Sequence, residues 1–397
     1  MDTAPRCSIP CNGNDDDDDC RNHLPLRSPS LHSHSHPCLH HQCVTTIRAH
    51  NCYVAALAVH GTSVYSGGSD QEIRVWPSVL LDWSSAARTD HHPASFTVAQ
   101  TESPVKSLVV SGDNLFSSHQ DGKIRVWQII QREQRSYKLK AVLPTSVDRF
   151  LSFLSPKSHV QVRRHKKCSW VHHVDAVSGL ALSHDGALLY SVSWDRTLKV
   201  WRTSGFRCME SVASAHQDAI NAVAVSRNGH VYTGSADAKI NVWRRRGEEG
   251  KHSLVQTLER HRSAVNALAL SADGRVLYSG ASDGSVVVWE GGSGGMAATG
   301  ELRGHRRAIL CLVAAGDVVC SGSADRTVRV WRRGGEQKGR HCCLAVMEGH
   351  GGPVKSLAMV VLESSSSSSS SSSACLVLSG GLDCDLKLWR LSVPSLS

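Results

Sequence analysis

A three-point signature recurs seven times along the 397 residues: Ser or Thr, Asp four positions on, and Trp six positions beyond that. It reads Ser66/Asp70/Trp76, Ser117/Asp121/Trp127, Ser191/Asp195/Trp201, Thr233/Asp237/Trp243, Ser279/Asp283/Trp289, Ser321/Asp325/Trp331 and Ser379/Asp383/Trp389. A signature repeated in this way marks a repeat architecture, in which one supersecondary unit buries its apolar face only by stacking on the next. Six of the seven Asp residues are preceded by a His, namely His50, His173, His216, His261, His305 and His350. Each His stands four residues before a Val or Ile that opens an alternating apolar run, such as Val265-Asn266-Ala267-Leu268-Ala269-Leu270. Alternation of period two reads as a β-strand. Successive Asp residues are 51, 74, 42, 46, 42 and 58 positions apart, so the shortest intervals define the unit and the longer ones carry insertions.

The chemistry of the four positions suits a hydrogen-bond chain, because an indole only donates, a carboxylate only accepts, and a hydroxyl and an imidazole do both. These residues resemble the WD40 repeat family, and the resemblance covers residues 43–397. It implies an all-β fold, a seven-bladed β-propeller, with the Ser/Thr, His, Asp and Trp forming a structural network in each blade. Two departures stand out. None of the seven Trp residues is followed by Asp; the next residues are Pro77, Gln128, Arg202, Arg244, Glu290, Arg332 and Arg390. The Asp121 repeat has Thr101 where the His belongs, so its network is expected to be incomplete.

Each three-stranded unit needs a fourth, outer strand. Arg207 to Ala213 and His341 to Glu348 supply two of them, but the chain stops eight residues after Trp389. Residues 43–48 (CVTTIR) are therefore expected to pair with the last blade, closing the ring and removing its open edges. Three insertions, 77–94, 128–165 and 364–373, are placed between third and fourth or first and second strands, and thus on a common lower face. The last is a Ser run, read as a flexible loop or a phosphorylation cluster. Lys157, Arg163, Arg164, Lys166 and Lys167 make a basic stretch that suits a nuclear import signal, an acidic-partner patch or a solvated loop. Residues 1–42 combine Asp15 to Asp19 with a His-rich stretch (His32, His34, His36, His40, His41) near Cys38 and Cys43, and read as a disordered tail whose spacings match no zinc motif.

Composition enters where function classes are weighed. Formal charge is +9, and residues 1–42 hold three Arg and six Asp, which leaves 41 basic and 29 acidic residues for the propeller. A basic body favours acidic proteins or nucleic acid as partners. The fourteen Cys residues are scattered without a CxxC pair and read as reduced thiols. No stretch approaches the roughly 18 apolar residues of a membrane helix. A monomeric, soluble protein of cytoplasm and nucleus is expected, with no membrane contact. Ser, His and Asp recur together, but catalytic triads do not repeat sevenfold and end at a Trp; GGSGG at 291–295 is a linker and not a phosphate cradle. No enzyme activity, cofactor, metal or small-molecule substrate is expected.

A propeller offers a rigid ring of upper-face loops for gripping other proteins. The residues preceding the Asp positions lie in those loops; they are Ser69, Gln120, Trp194, Ala236, Ser282, Ala324 and Leu382. Trp194 is weighed as a contact residue, Trp being enriched at hot spots, against packing on a neighbouring blade. Gln120, Arg306 and Arg307 are further candidate contacts, with solvated arginines as the alternative. The stretch Ser117 to Trp127, VRRHKK at 162–167 with Asp175-Ala176-Val177, and His305 through LCLVAAG at 310–316 resemble plant WD40 proteins of the JINGUBANG type. That resemblance implies a regulatory scaffold engaging transcriptional regulators. The alternatives are a substrate receptor of a cullin-type ubiquitin ligase, whose docking motif ends Trp-Asp/Glu-x-Arg/Lys, and an RNA- or DNA-associated propeller. Trp289-Glu290 begins the docking ending, but Gly292 occupies its basic position; no aromatic-basic module accompanies the nucleic-acid reading.

Overall fold

The alternating runs pair into seven four-stranded antiparallel sheets in the computed structural model, which describes residues 40–76, 95–130, 136–154, 159–163, 166–246, 250–292, 294–334, 341–362 and 373–393. The chain divides into Met1–Pro37, which lies outside the described residues, and Cys38–Ser397, which contains the sheets. Blade 1 is built from Val54–His60, Ser63–Gly68, Glu72–Trp76 and Phe96–Gln100, and blade 2 from Val105–Ser111, Asn114–His119, Ile124–Ile130 and Ser136–Leu143. Blade 3 takes Val177–Leu182, Leu188–Ser193, Leu198–Arg202 and Arg207–Val212; blade 4 takes Ile220–Val225, His230–Ser235, Lys239–Arg246 and Lys251–Glu259. Blade 5 takes Val265–Leu270, Val276–Ala281, Val286–Gly292 and Gly295–Leu302; blade 6 takes Ile309–Ala315, Val318–Ser323, Val328–Arg333 and His341–Met347. Blade 7 combines Val354–Leu362, Ser373–Gly381 and Asp385–Val393 with His40–Arg48 as its outer strand. The first strand of every blade packs on the first strand of the next, through all seven, so the ring closes.

Closure runs from His40↔Ser392 to Arg48↔Asp385, with a bulge between Cys43 and Thr45. The closing strand thus starts upstream of the expected 43–48 and takes in His40, His41 and Gln42, which the sequence reading had assigned to the tail. Residues 1–39, the insertion at 77–94 and the Ser run through Ser372 lie outside the described residues, and Ser373 already opens a strand.

The 128–165 insertion is corrected. The third strand of blade 2 continues to Ile130 and pairs with Ser136–Leu143 as the fourth, Ile124 lying opposite Leu143 and Ile130 opposite Ser136. Lysines at 138 and 140 mask the alternation, yet Leu143 is fully buried and Tyr137 sits edge-on to Tyr65 at 6.2 Å. The long segment therefore follows the fourth strand and leaves from the opposite end of the blade. It holds a helix, Ser146–Leu154, and a hairpin, His159–Arg163 with Lys166–Ser169, which carries part of the basic stretch. A capping box starts the helix: Asp148 N–H donates to Thr145 Oγ1 at 3.2 Å, and the Asp148 carboxylate accepts the Thr145 N–H at 3.2 Å. Its other oxygen accepts the Cys208 N–H at 3.3 Å, tying the helix to the outer strand of blade 3.

The core is seven layers, each shared by two adjacent blades. Every network Trp lies in the layer its blade shares with the preceding one, as Trp76 does among Ile47, Leu376 and Leu386, and Trp201 among Phe116, Ile124 and Leu143. A bulge at the start of each first strand leaves one residue unpaired, and in blades 3, 4 and 5 the side chain of that residue bonds to the next blade. Ser178 Oγ donates to Ile220 O, Asn221 Nδ2 to Val265 O at 3.1 Å, and Asn266 Nδ2 to Ile309 O at 2.9 Å. Ser356 Oγ donates to Val54 O at 3.2 Å across the closure.

Close seams also explain the glycine after each of five network hydroxyls, Gly67, Gly234, Gly280, Gly322 and Gly380. A Cβ on Gly67 would stand 2.5 Å from Val105 Cγ1 and 3.0 Å from Val105 Cβ, a β-branched side chain with little room to turn. Gly67→Ala should cost about 1–3 kcal/mol through overpacking. Urea denaturation would register it as a lower midpoint at unchanged slope. Gly294→Ala, which meets nothing within 4 Å, should stay within about 0.5 kcal/mol of the parent.

Candidate functional site

The turns between second and third strands, which carry the Asp residues, and the connections entering each first strand, which carry the His residues, define the upper face. Their geometry follows from the network behind them. In blade 1, Trp76 Nε1 donates to Ser66 Oγ at 2.9 Å, His50 Nε2 lies 2.8 Å from that oxygen, and His50 Nδ1 lies 3.0 Å from Asp70 Oδ1. Since a carboxylate only accepts, His50 carries its proton on Nδ1 and accepts the Ser66 hydroxyl on Nε2. Asp70 Oδ2 then accepts the Asn51 N–H at 2.9 Å, joining both upper-face loops.

The Trp–hydroxyl–His part of the chain recurs in five further blades, and in four of them it goes on to the carboxylate. Trp201, Trp243, Trp289, Trp331 and Trp389 donate to Ser191, Thr233, Ser279, Ser321 and Ser379 at 2.8–2.9 Å. His173, His216, His261, His305 and His350 meet those hydroxyls at 2.7–2.8 Å. The Nδ1–carboxylate distance is 3.0 Å for His216–Asp237, 2.9 Å for His305–Asp325 and 2.8 Å for His350–Asp383. In blade 3 it is 3.4 Å, and Thr197 Oγ1 is inserted, 2.8 Å from His173 and 2.6 Å from Asp195. In blade 5 it is 3.6 Å, beyond a hydrogen bond, because Asp283 is drawn to the Ser285 N–H and hydroxyl at 2.9 and 2.7 Å, and His261 Nδ1 is left buried without a hydrogen-bond partner among the described residues.

Blade 2 does not leave a gap. Thr101 turns to the Gln71 and Ser103 carbonyls, while His119, from the second strand, places Nε2 2.8 Å from Ser117 Oγ and Nδ1 3.0 Å from Ser103 O. Trp127 donates to the same Ser117 hydroxyl at 2.9 Å. Asp121, freed of a His, pairs with Arg125 at 2.9 Å and caps the Lys123 N–H. The expectation of an incomplete network is thus corrected to a rewired one: a His two residues from the Ser reaches it from the same strand. The signal was present as Ser117-Ser118-His119 but sits where no other repeat carries a His.

Burial, the largest influence, holds His50, His173, His216, His261 and His305 below the ordinary imidazole value, so they are neutral. Burial alone would raise Asp325, but the Thr327 hydroxyl, the Arg306 N–H and His305 outweigh it and bring it to about 2. The network hydroxyls are fully buried and committed to Trp and His, which is structural chemistry.

In front of this network the exposed groups differ by blade. Trp194 is 39% exposed, Leu382 45% and Val174 42%, while Gln120, Arg306 and Arg307 are exposed polar groups. Trp194 is held by its N–H to Ala176 O at 3.1 Å, and Lys106 Nζ lies 5.2 Å over its ring. That cation–π contact bridges blades 2 and 3 and braces the indole without burying it. Both readings of Trp194 therefore meet in one residue, which leans on a neighbouring blade and keeps a free face. Lys106 and Val174 escaped the sequence reading, since each is one ordinary residue beside a strand start or a network His.

A family model described as WD domain, G-beta repeat matches residues 41–77, 165–202, 207–244, 252–290, 297–332 and 341–390, more than half the chain. The matched stretches pass over blade 2, whose network is the rewired one. Ribosome biogenesis protein YTM1 of Eremothecium gossypii is 25% identical over 241 residues, which cover 58% of this chain and 54% of that protein. Protein ROOT INITIATION DEFECTIVE 3 of Arabidopsis thaliana is 29% identical over 250 residues, 60% of this chain and 48% of that one. Striatin-4 of Homo sapiens is 31% identical over 205 residues, 45% and 26% respectively. The chain spans about half the length of the first two. No helix among the described residues is long and apolar enough to cross a membrane.

Proposed function

This chain belongs to the WD40 repeat family, and from that premise we propose that it is a non-enzymatic scaffold whose upper face grips other proteins. The observation that carries the reading is Trp194, a large aromatic braced by Lys106 yet 39% exposed in front of the bonded network of blade 3. A preorganised aromatic loses little freedom on binding, which is what a hot spot requires. Val174 adds an apolar contact on the same blade, and Leu382 on blade 7 with Gln120, Arg306 and Arg307 on blades 2 and 6 are exposed elsewhere around the upper face. The partners are transcriptional or signalling regulators in a plant cell, in nucleus and cytoplasm, a reading supported by the likeness to JINGUBANG-type proteins. A second reading is assembly of ribosomal precursors, favoured by the likeness to YTM1.

Proximity labelling in plant cells with the tagged chain and a folded Trp194→Ala control separates them. Transcription regulators recovered by the parent, and reduced about tenfold or more in the variant as loss of a hot-spot side chain predicts, support the regulatory scaffold. Pre-ribosomal proteins would favour the second reading, and cullin-ligase subunits a ubiquitin-ligase receptor. Recovery unchanged by Trp194→Ala would remove the upper-face site.

A further inference from the structure

The lower face carries a different kind of surface, a groove of about 620 Å³ between blades 4 and 5. Three arginines line it: Arg244 and Arg246 from the end of the third strand of blade 4, and Arg275 from the turn between first and second strands of blade 5. All three are exposed, and none forms an ion pair with a carboxylate among the described residues. The carboxylates nearby are engaged elsewhere. Asp273 accepts the Ser271 hydroxyl at 2.5 Å and the Arg275 N–H at 3.0 Å, and Glu290 pairs with Arg333 at 2.8 Å. His230, also in the lining, is held below its ordinary value first by burial and then by the Arg244 charge, so the arginines supply the positive charge at neutral pH.

The groove is also built to stay open. Gln256 Nε2 donates to Met296 O at 2.8 Å, and its Oε1 accepts the Met296 N–H at 2.9 Å, which clamps the outer hairpin of blade 5 to blade 4. Four glycines of that hairpin line the groove and put no side chain into it. Val242, Val255 and Met296 give it an apolar component. Guanidinium forks match phosphate oxygens bidentately, and three unpaired forks around one cavity are anion chemistry.

We propose that this groove binds a phosphorylated side chain of a partner peptide, the arginines taking the phosphate and the apolar wall a flanking residue. This goes beyond the scaffold reading, because it places a second, phosphorylation-dependent site on the opposite face. A peptide fits better than a nucleic acid. The volume falls within the roughly 300–1,000 Å³ of a single-ligand pocket, and of the two rings in the lining Tyr232 is buried and His230 half-buried, so neither offers an open stacking platform.

The test is fluorescence anisotropy on the full chain with a short degenerate peptide pool carrying a fixed central phosphoserine, its unphosphorylated twin, and an oligouridine RNA. The phosphorylated pool should bind about tenfold or more tighter than its twin. The Arg244→Glu/Arg275→Glu variant should lose that preference, the Arg244→Lys/Arg275→Lys variant should keep part of it, and Trp194→Ala should keep it all. Equal binding of the two pools, or a preference that survives charge reversal in a chain with parental circular dichroism, overturns the proposal. So does oligouridine that binds as tightly and is lost in the same variant.

Discussion

Deleting residues 40–48 should leave a chain with no cooperative unfolding transition that elutes as aggregate in size-exclusion chromatography. The strand makes eight paired positions with Asp385–Val393. Ladder bonds contribute about 0.5–1.5 kcal/mol each, net of those made with water in the unfolded chain. Ile47, buried among Leu386, Leu388 and Trp76, adds about 1.5–3 kcal/mol. The loss is on the order of 5–10 kcal/mol, which compares with the whole stability of a typical domain. It also strips the cover from Asp385–Val393 and exposes an edge that recruits other chains. A monodisperse deletion variant with the parental midpoint would mean that the seams between blades hold the ring without the closing strand.

His119→Ala should destabilise the chain by about 3–5 kcal/mol at pH 7.5, because the Ser117 hydroxyl and the Ser103 carbonyl each lose a buried partner and the ring leaves a cavity. The effect should shrink as pH falls. Burial, followed by the Arg125 charge, outweighs the Ser103 carbonyl and pushes His119 down to about 4 from 6.5. Between those values the unfolded chain binds the proton and the folded one does not, so stability rises with pH across the window and is lost as pH drops through it. That shift is worth on the order of 3 kcal/mol. The parent pays it at pH 4, whereas the variant has no imidazole to pay for, so the two should approach each other there. Urea midpoints from pH 4 to pH 7.5 would check it; a gap that stays constant with pH would mean that His119 takes up its proton equally in the folded and unfolded chain.

The six regular networks were legible because each is a matter of spacing along one repeat. His50, Ser66, Asp70 and Trp76 occupy the same offsets as His305, Ser321, Asp325 and Trp331, and a short local distance means the same thing in every copy. Ring closure was legible for a related reason: a missing outer strand at one end and a surplus one at the other leave a single pairing. Blade 2 was misread where the repeat rule was applied to a repeat that breaks it. Thr101 marks the vacancy, but that His119 fills it depends on how far an imidazole reaches across a bulged sheet. The outer strand Ser136–Leu143 hid because Lys138, Leu139 and Lys140 are all exposed and a bulge there shifts the register, so Tyr137 and Leu143 pack on opposite sides of the blade and period two is faint.

The sequence by itself determined the number of blades, the Trp–hydroxyl–His chain in six of them and the closure of the ring, because these rest on patterns that repeat and on strand edges that must be covered. Tertiary structure alone decided what lies between blades: the stand-in His119, the seam bonds from Ser178, Asn221 and Asn266, the Lys106–Trp194 pair and the arginine groove. Each joins residues from different strands or blades, at separations that carry no period. Their meeting is set by the packing of one blade on the next.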